Sequence, residues 1–534
     1  MMIFLAGFAE VLFKALALIG LASAVGGIVL CLWVLRPLNR HDHGMEQCLK
    51  TSLIIIACGC GLLVLAHVII LVLESWALAD ETGRWPLSQF VKTHFARASL
   101  IHSCLGLMLC AASIWLLKRP NSRPGWGVMT LMMVLIMVSG AWLVHGVSHL
   151  EHAVPLMALT VIHQFGASAW AGGVLHLTFL RRFLRRSFKG MCLWSAVLAR
   201  FSLLAMCSVG TLLSSALYLS YHYIGNWNGL IGTAYGTMVC TKTALLALAL
   251  CLGSLNFFSV RRWLQKDDAQ GLSRRAPALV ESEMFTALII LVVAAALSSQ
   301  PLAVDAASDR ASSEEVLHMF LPKLPQLVPP PHAETLNPPN PSFGSPANHD
   351  KVQSNFKHNV CGLLVLIIGI CALLDRTGKV RVSRHWPLLF LFLAFFIPLF
   401  SERTGIGKEG FWETLVIPEE LQCRLSALLV IGLALFEWRA RAGHPGHSGW
   451  PSVFPLLCLA GSALLLTQSF TAFASKSSFL IEIPHTVIGF LAVIVGVGRL
   501  VELRLPKPAS RLPGFLWTAC VVLIGFVLLF YREA

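Results

Sequence analysis

Residues 53–73 read LIIIACGCGLLVLAHVIILVL, a stretch of 21 residues without a charged side chain. A helix needs about 20 mainly apolar residues to cross the roughly 30 Å of hydrocarbon in a bilayer. Lipid offers no partners to backbone N–H and C=O groups, so only helices and closed barrels cross it, and runs of Leu, Ala and Gly favour helices. The stretch therefore predicts a transmembrane helix.

Similar stretches recur along the whole chain. Its 534 residues are 56% hydrophobic and 13% charged, and the mean hydropathy is +0.72, values outside the range of soluble globular domains. We predict an all-α, polytopic membrane helix bundle of about fourteen transmembrane helices. Their predicted centres are residues 23, 63, 107, 135, 167, 207, 245, 290, 367, 393, 430, 461, 493 and 522. The first lacks the basic start of a signal peptide, so we expect it to be retained.

A polar segment separates eight of these stretches from the other six. Residues 301–357 are rich in Pro, Ser and Asn and include three consecutive prolines at 329–331. Such a segment cannot span a membrane and predicts an extended linker, with one short helix near residues 312–320. We therefore predict an eight-span domain over 1–300, a linker over 301–357 and a six-span domain over 358–534.

The net charge of +14 comes mainly from alternate loops. The positive-inside rule makes these loops cytoplasmic and places both termini, with the linker, on the periplasm-like side of a bacterial inner membrane. We expect the basic residues of these loops to interact with membrane lipid and not with nucleic acid. Most of the fifteen cysteines lie inside the apolar stretches without a CxxC pair, so no disulfide framework is predicted. The basic loops lie near residues 36–50, 118–123, 181–189, 261–275, 376–384, 439–441 and 499–511.

Histidines cluster on the outer side of this topology. Three fall in the outer half of predicted spans, and three more lie in the loop before the fifth span. Neutral imidazole is a common ligand of copper, and ionisable residues inside membranes are costly and tend to be functional. The pattern predicts a metal path, although a bond to a neighbouring carbonyl would explain any one of them equally well. These residues are His67, His102 and His163 in the spans, and His145, His149 and His152 in the loop.

Three further residues are candidates for transport or gating. Lys242 lies in the middle of a predicted span, too deep to reach either face, and is either an electrostatic partner of a moving ion or bonded to span carbonyls. Trp170 lies in the sequence AWAGG at 169–173. Arg200 lies near the inner end of the sixth span, where an anchor at the membrane surface is the favoured interpretation.

Several short motifs occur in order through the first domain. They are His163, AWAGG at 169–173, RFS at 200–202, TAYG at 233–236, Lys242, Gly253 and Asn256. Residues 1 to about 300 resemble the CopD (PcoD) copper-resistance membrane proteins on this basis. The resemblance implies an eight-span inner-membrane protein, not an enzyme, that moves copper between periplasm and cytoplasm, often with a periplasmic CopC-type carrier. The loop with His145, His149 and His152 occupies the place of a Gly-His-Ala motif in that family.

The last domain resembles an extension found in long CopD-like proteins. The matching pieces are RHWPLLFL at 384–391, GFWETL at 410–415, FEWR at 436–439 and YRE at 531–533. This chain departs from the extension where histidines are expected, at Asn359, Cys423, Gln468 and Phe470. The metal candidates that remain at the outer face are His358, Cys423, Glu482 and His485. An altered metal site and a purely structural module both fit.

The residues and the resemblance together predict copper transport, with ions entering near His149 and His163 and with Lys242 modulating passage. Two other functions stay open. A membrane b-type cytochrome would hold haem b between two of His67, His102 and His163, but no quinone site or electron-donor motif accompanies them. A non-transporting assembly or scaffold subunit would explain the histidines missing after residue 356.

Overall fold

The computed structural model is mainly helical over the residues that it describes, and it contains no strand there. The described residues are 2–39, 45–85, 87–143, 153–184, 188–266, 269–306, 310–329, 348–378, 382–399, 418–442, 450–467 and 476–533. The α-helices, numbered in chain order, are α1 (Met2–Leu30), α2 (Arg36–Asn39), α3 (Met45–Thr82), α4 (Leu87–Phe90), α5 (His94–Lys118), α6 (Arg123–Gly140), α7 (Ala153–Leu184), α8 (Phe188–Ile224), α9 (Trp227–Ile231), α10 (Ala234–Lys266), α11 (Ala269–Leu297), α12 (Ser313–His318), α13 (Asn348–Thr377), α14 (Leu389–Leu399), α15 (Pro418–Ala442), α16 (Val453–Leu466), α17 (Lys476–Arg504) and α18 (Arg511–Leu529).

A helix lies at each of the fourteen predicted positions. Ten of the described helices are long and apolar enough to cross a membrane, and two further apolar helices, His385–Leu399 and Val453–Leu466, are shorter. The predicted helices at residues 167 and 430 correspond to α7 and α15, which are 32 and 25 residues long. The prediction of an all-α, polytopic bundle is confirmed.

The chain divides into two compact units. The N-terminal unit comprises Ala9–Asn226 and Lys242–Val304, and the C-terminal unit comprises Met1–Phe8, Trp227–Thr241 and Asp305–Ala534. The short helix predicted near residues 312–320 is α12. It begins with a capping box, in which Ser312 Oγ accepts a bond from the Glu315 backbone N–H (3.2 Å) and Glu315 Oε2 accepts one from the Ser312 N–H (2.8 Å).

In the N-terminal unit, small residues bring α7 against α1. A Cβ placed on Gly172 would overlap the carbonyl oxygen of Ala22 and would lie 3.0 Å from the Cα of Gly26. Close backbone approach through small residues is a usual way of packing membrane helices. One turn further along α7, the fully buried His176 bonds through Nε2 to the carbonyl oxygen of Ser23 (3.0 Å). Gly172 of the AWAGG motif therefore allows α7, and with it Trp170, to pack closely on α1.

In the C-terminal unit, charged side chains pair inside the bundle. Arg376 on α13 makes a bidentate bond to Glu502 on α17 (2.8 and 2.9 Å), and the Trp517 indole also donates to Glu502 (2.7 Å). Glu437, the acidic residue of the FEWR motif, is fully buried and bonds to Arg499 (2.8 Å) and Arg441 (2.8 Å). Buried charges of this kind are tolerated because each is paired and hydrogen-bonded. The motif thus serves packing in this unit.

Candidate functional site

Five residues singled out from the sequence line a single cavity of about 260 Å³ in the N-terminal unit. We call it the histidine cavity. The rest of its wall is mostly apolar and includes leucines and isoleucines of α1, α3, α10 and α11. Residues far apart in the sequence thus converge in the bundle, as the metal-path prediction requires. The five are His67 on α3, His102 on α5, His163 and Trp170 on α7, and Lys242 on α10.

His67 and His102 are in direct ring contact. Their centroids are 4.9 Å apart and the planes are inclined by 66°. His102 Nδ1 lies 2.8 Å from Ser139 Oγ, and Ser139 donates its own hydroxyl proton to the carbonyl oxygen of Ile136 (2.9 Å). Because Ser139 has one hydroxyl proton, its oxygen accepts from His102 Nδ1–H. The other nitrogen of His102, Nε2, therefore carries the lone pair that a metal needs.

His163 is oriented in the same way by α8. Its Nδ1 lies 3.2 Å from Ser215 Oγ and 3.3 Å from the carbonyl oxygen of Leu212. A carbonyl only accepts, and the Ser215 hydroxyl already donates to the carbonyl oxygen of Thr211 (2.8 Å). His163 Nδ1 is therefore the protonated nitrogen. The Nε2 atoms of His102 and His163 make no hydrogen bond with the described residues, so each neutral imidazole keeps a free lone pair.

His67 is less constrained. Its Nδ1 lies 3.2 Å from the hydroxyl of Ser99 on α5, and either group can supply the proton. Across the cavity, the side-chain oxygen of Gln164 is buried without a hydrogen-bond partner among the described residues. A Cβ placed on Gly140 would lie 3.4 Å from His102 Cε1 and 3.6 Å from this oxygen. Gly140 therefore keeps the space around His102 open.

Lys242 contributes a positive charge to the same wall. It makes no hydrogen bond or ion pair with the described residues, so the structure gives no support to the interpretation that it is bonded to span carbonyls. Lys14 also lines the cavity, but its ammonium group is paired with Glu10 (2.5 Å) and bonded to Ser299 (3.1 Å). Lys242 is therefore the wall charge that an ion in the cavity would experience most directly.

The histidines line one cavity without forming a compact cluster. Among the described residues, no group of three or more His, Cys, Asp and Glu side chains is placed to hold one metal ion. Among the described residues, the three histidines therefore do not form a closed three-ligand site. The 4.9 Å contact between His67 and His102 leaves no room for a haem between those two rings.

Reasoning from the sequence missed one charged residue beside this site. The indole N–H of Trp170 donates to Glu283 Oε1 on α11 (2.9 Å), and Asn256 Nδ2 on α10 lies 3.5 Å from Glu283 Oε2. Glu283 has 6% of its surface exposed. In the sequence it follows Glu281 closely at the inner end of an apolar stretch, so both resemble charges that flank a span. Only Glu281 pairs with a basic residue, Arg181 (3.1 Å).

Some predicted site residues lie elsewhere. His145, His149 and His152 fall outside the described residues. Arg200 is exposed on α8 and is not part of the cavity wall. Its position agrees with the anchor interpretation better than with a role in gating.

In the C-terminal unit, two of the remaining candidates come together. The rings of His358 on α13 and His485 on α17 are 5.4 Å apart, and the Tyr531 ring lies 4.0 Å from the first and 5.6 Å from the second. Each histidine bonds through Nδ1 to a carbonyl oxygen of its own helix, at 2.8 and 2.9 Å. Cys423 and Glu482 are half-buried on α15 and α17 and form no cluster of metal ligands among the described residues.

Asn359 stands where the family extension is expected to have a histidine. Its side chain is fully buried, and its Oδ1 accepts bonds from the Gln326 backbone N–H (2.7 Å) and Arg532 (2.9 Å). Its Nδ2 donates to the carbonyl oxygens of Leu528 (3.3 Å) and Tyr531 (3.0 Å). All hydrogen-bonding positions of this amide are taken up by Gln326, before α13, and by residues 528–532, so the residue serves structure.

The family model described as "Copper resistance protein D" (CopD) matches residues 195–297. Residues 195–297 are CopD-like. The resemblance to CopD is confirmed over this segment, which contains Ser215, Lys242, Asn256 and Glu283. Ten described helices are long and apolar enough to cross a membrane, as expected of a multi-pass membrane protein.

A curated relative is also similar. "Copper transport protein CutJ" of Bacillus subtilis (strain 168) is 27% identical over 197 residues, which are 36% of this chain and 35% of CutJ. The match therefore spans about a third of that relative. No solved structure matches the chain significantly.

Proposed function

We propose that the chain transports copper ions across a bacterial inner membrane and that the histidine cavity is the copper-binding part of the path. The observation that carries this proposal is the convergence of His67, His102, His163 and Lys242 on one cavity. The CopD-like segment and the similarity to a protein named for copper transport support copper as the cargo. Transport requires no reaction on a substrate, so no catalytic residue is proposed.

The two oriented imidazoles suit a transported copper ion. His102 and His163 present neutral Nε2 lone pairs, which bind copper without adding charge. Lys242 opposes this attraction, because a positive charge in a low-dielectric wall repels the ion. Conduction needs binding that is favourable enough for entry and weak enough for release. Ligands in succession together with one opposing charge provide that balance.

The basic loops support an orientation in which both termini and the linker are periplasmic. In that orientation the histidine end of α7 faces the periplasm, and its arginine end, with Arg181, faces the cytoplasm. We propose that a periplasmic CopC-like carrier delivers copper at the histidine end. The loop with His145, His149 and His152 is the proposed point of entry.

Copper flux into vesicles that contain the purified, full-length protein tests the proposal. We expect His102→Ala and His163→Ala to abolish most of the flux, while His94→Ala, an exposed histidine outside the cavity, leaves it unchanged. Equal amounts of folded protein must be present in all vesicles. Normal flux through both cavity variants would show that copper does not use these imidazoles.

A further inference from the structure

Trp170 lies between two cavities. Its side chain lines the histidine cavity and also a second cavity of about 520 Å³. On α7 the second cavity is lined by Val174 and Leu177, one and two turns from Trp170 toward the arginine end of the helix. We call it the glutamate cavity. The polar side chains that line it are Trp170, Ser202, Ser254, Asn256 and Glu283.

Glu283 is a carboxylate without a cation. It accepts bonds only from two neutral donors, Trp170 (2.9 Å) and Asn256 (3.5 Å), and it forms no ion pair with the described residues. A buried charge without a partner costs several kcal/mol even after relaxation of its surroundings. Ionisable groups at this depth are kept for a function, and a negative charge here would bind a cation.

A second oxygen in the same wall also lacks a partner. Asn256 Oδ1 is buried without a hydrogen bond among the described residues, and the residue has 7% of its surface exposed. A carboxylate oxygen and an amide oxygen only accept hydrogen bonds, so a cation between them can be coordinated by both. Three residues before Asn256 on the same helix, a Cβ on Gly253 would lie 3.3 Å from Glu283 Oε1. The glycine therefore leaves the carboxylate uncrowded.

We propose that Glu283 and Asn256 form a second cation site, at which the transported copper, as Cu(I), rests after it passes Trp170. The inference deepens the proposed function and rests on it. One carboxylate neutralises one monovalent cation, whereas the histidine cavity combines neutral imidazoles with the positive Lys242. A cation is therefore drawn from the histidine cavity toward the glutamate cavity.

The ligand chemistry suits release. Soft Cu(I) prefers sulfur and imidazole ligands, so two oxygens hold it less tightly than histidines would. Weak, successive sites are what permit an ion to leave a transport path. The indole of Trp170 is hydrogen-bonded to the carboxylate. Among the described residues, Trp170 is the only one that lines both cavities.

Anaerobic equilibrium dialysis of the purified, full-length protein against Cu(I), kept in solution by the weak ligand acetonitrile, tests the site. Glu283→Gln removes the charge but still accepts a bond from Trp170. We expect it to bind one Cu(I) fewer per chain than the wild type, and we expect flux into vesicles to fall by about tenfold or more. Glu281→Gln is the matched control, because Glu281 lies on the same helix, pairs with Arg181 and is outside the cavity. It should bind and transport copper normally.

A second variant guards against misfolding of the first. Asn256→Ala should lower the affinity of this site for Cu(I) by about tenfold, while the charge of Glu283 is kept. His163→Ala should lose a different ion and retain the one at Glu283.

Full copper stoichiometry in a folded Glu283→Gln variant overturns the second site and leaves the histidine path intact. Normal stoichiometry with a flux that no longer responds to a pH gradient also overturns it, because Glu283 would then carry a proton. A wild type that neither binds nor moves Cu(I) refutes the proposed function itself.

Discussion

His102 Nδ1 lies 2.8 Å from Ser139 Oγ, and the Ser139 hydroxyl donates a hydrogen bond to the carbonyl oxygen of Ile136 (2.9 Å), which leaves its oxygen to accept from His102 Nδ1–H. This chain of donors fixes the tautomer of the histidine on one side of the cavity. The hydroxyl of Ser215 plays the same part for His163 on the other side (3.2 Å). Two serines of different helices thus orient the two imidazoles that we propose as copper ligands.

The serine bond predicts an effect on copper affinity. Ser139→Ala leaves His102 free to change tautomer, and we expect the affinity for copper to fall by about tenfold to a hundredfold. Ser139→Thr retains the hydroxyl and should restore most of the affinity. Ser103→Ala is a suitable control, because that hydroxyl lies on α5 like His102 but donates to the carbonyl oxygen of Ser99 (2.8 Å). Equal affinities for the alanine variants at 139 and 103 would show that the bond does not prepare the ligand.

The charge of Lys242 predicts opposite effects on binding and on release. Lys242→Met removes the repulsion of a cation in the cavity, so copper should bind more tightly and leave more slowly. Lys242→Arg keeps the charge and should behave like the wild type in both respects. Equilibrium titration and the flux into vesicles provide the two measurements. Weaker binding by the methionine variant would contradict an opposing role for the lysine.

The contact between α1 and α7 predicts a large effect on stability. Gly172→Ala would push a methyl group into the carbonyl oxygen of Ala22. Inserting a carbon into such close packing typically costs about 1–3 kcal/mol. Gly61→Ala has no atom within 4 Å of the added Cβ, so it should leave stability unchanged or raise it slightly. Thermal unfolding of the detergent-solubilised protein compares the two, and equal midpoints would show that the helices are not tightly packed there.

The fold was largely predictable, because long apolar stretches decide where membrane helices lie. That His67, His102 and His163 lie within helices followed from their places in those stretches. Their bonding partners did not follow, since Ser99, Ser139 and Ser215 are 32, 37 and 52 residues away along the chain and hydroxyls are common in such helices. A pattern along one helix does not show which neighbour it will meet.

Glu283 and Asn359 show two other limits of the sequence. Glu283 bonds to Trp170, 113 residues earlier, and to Asn256, whereas Glu281 pairs with Arg181; these contacts distinguish the two residues, and the sequence does not show them. By its sequence, Asn359 stands where the family extension is expected to have a histidine, which indicates a lost metal ligand. The structure instead gives its amide four hydrogen bonds to the chain end and to the segment before α13. A departure from a family motif can therefore mark a structural residue.

The loop charges predict the topology. Reporter fusions after residues 189 and 270 should report the cytoplasm, and fusions within 305–350 should report the periplasm. Residues 189 and 270 lie in basic loops, and residues 305–350 lie in the linker. The reverse pattern would turn the histidine cavity toward the cytoplasm and would exclude delivery by a periplasmic carrier.

X-ray absorption at the copper edge of the purified, copper-loaded protein tests the central claim most directly, because it identifies the atoms that bind the ion. We expect scattering from imidazole rings in the wild type and in His485→Ala, whose histidine lies in the C-terminal unit. That imidazole signal should disappear from a folded variant in which His67, His102 and His163 are all alanine. An unchanged imidazole signal in the triple variant would contradict the claim that copper binds in the histidine cavity.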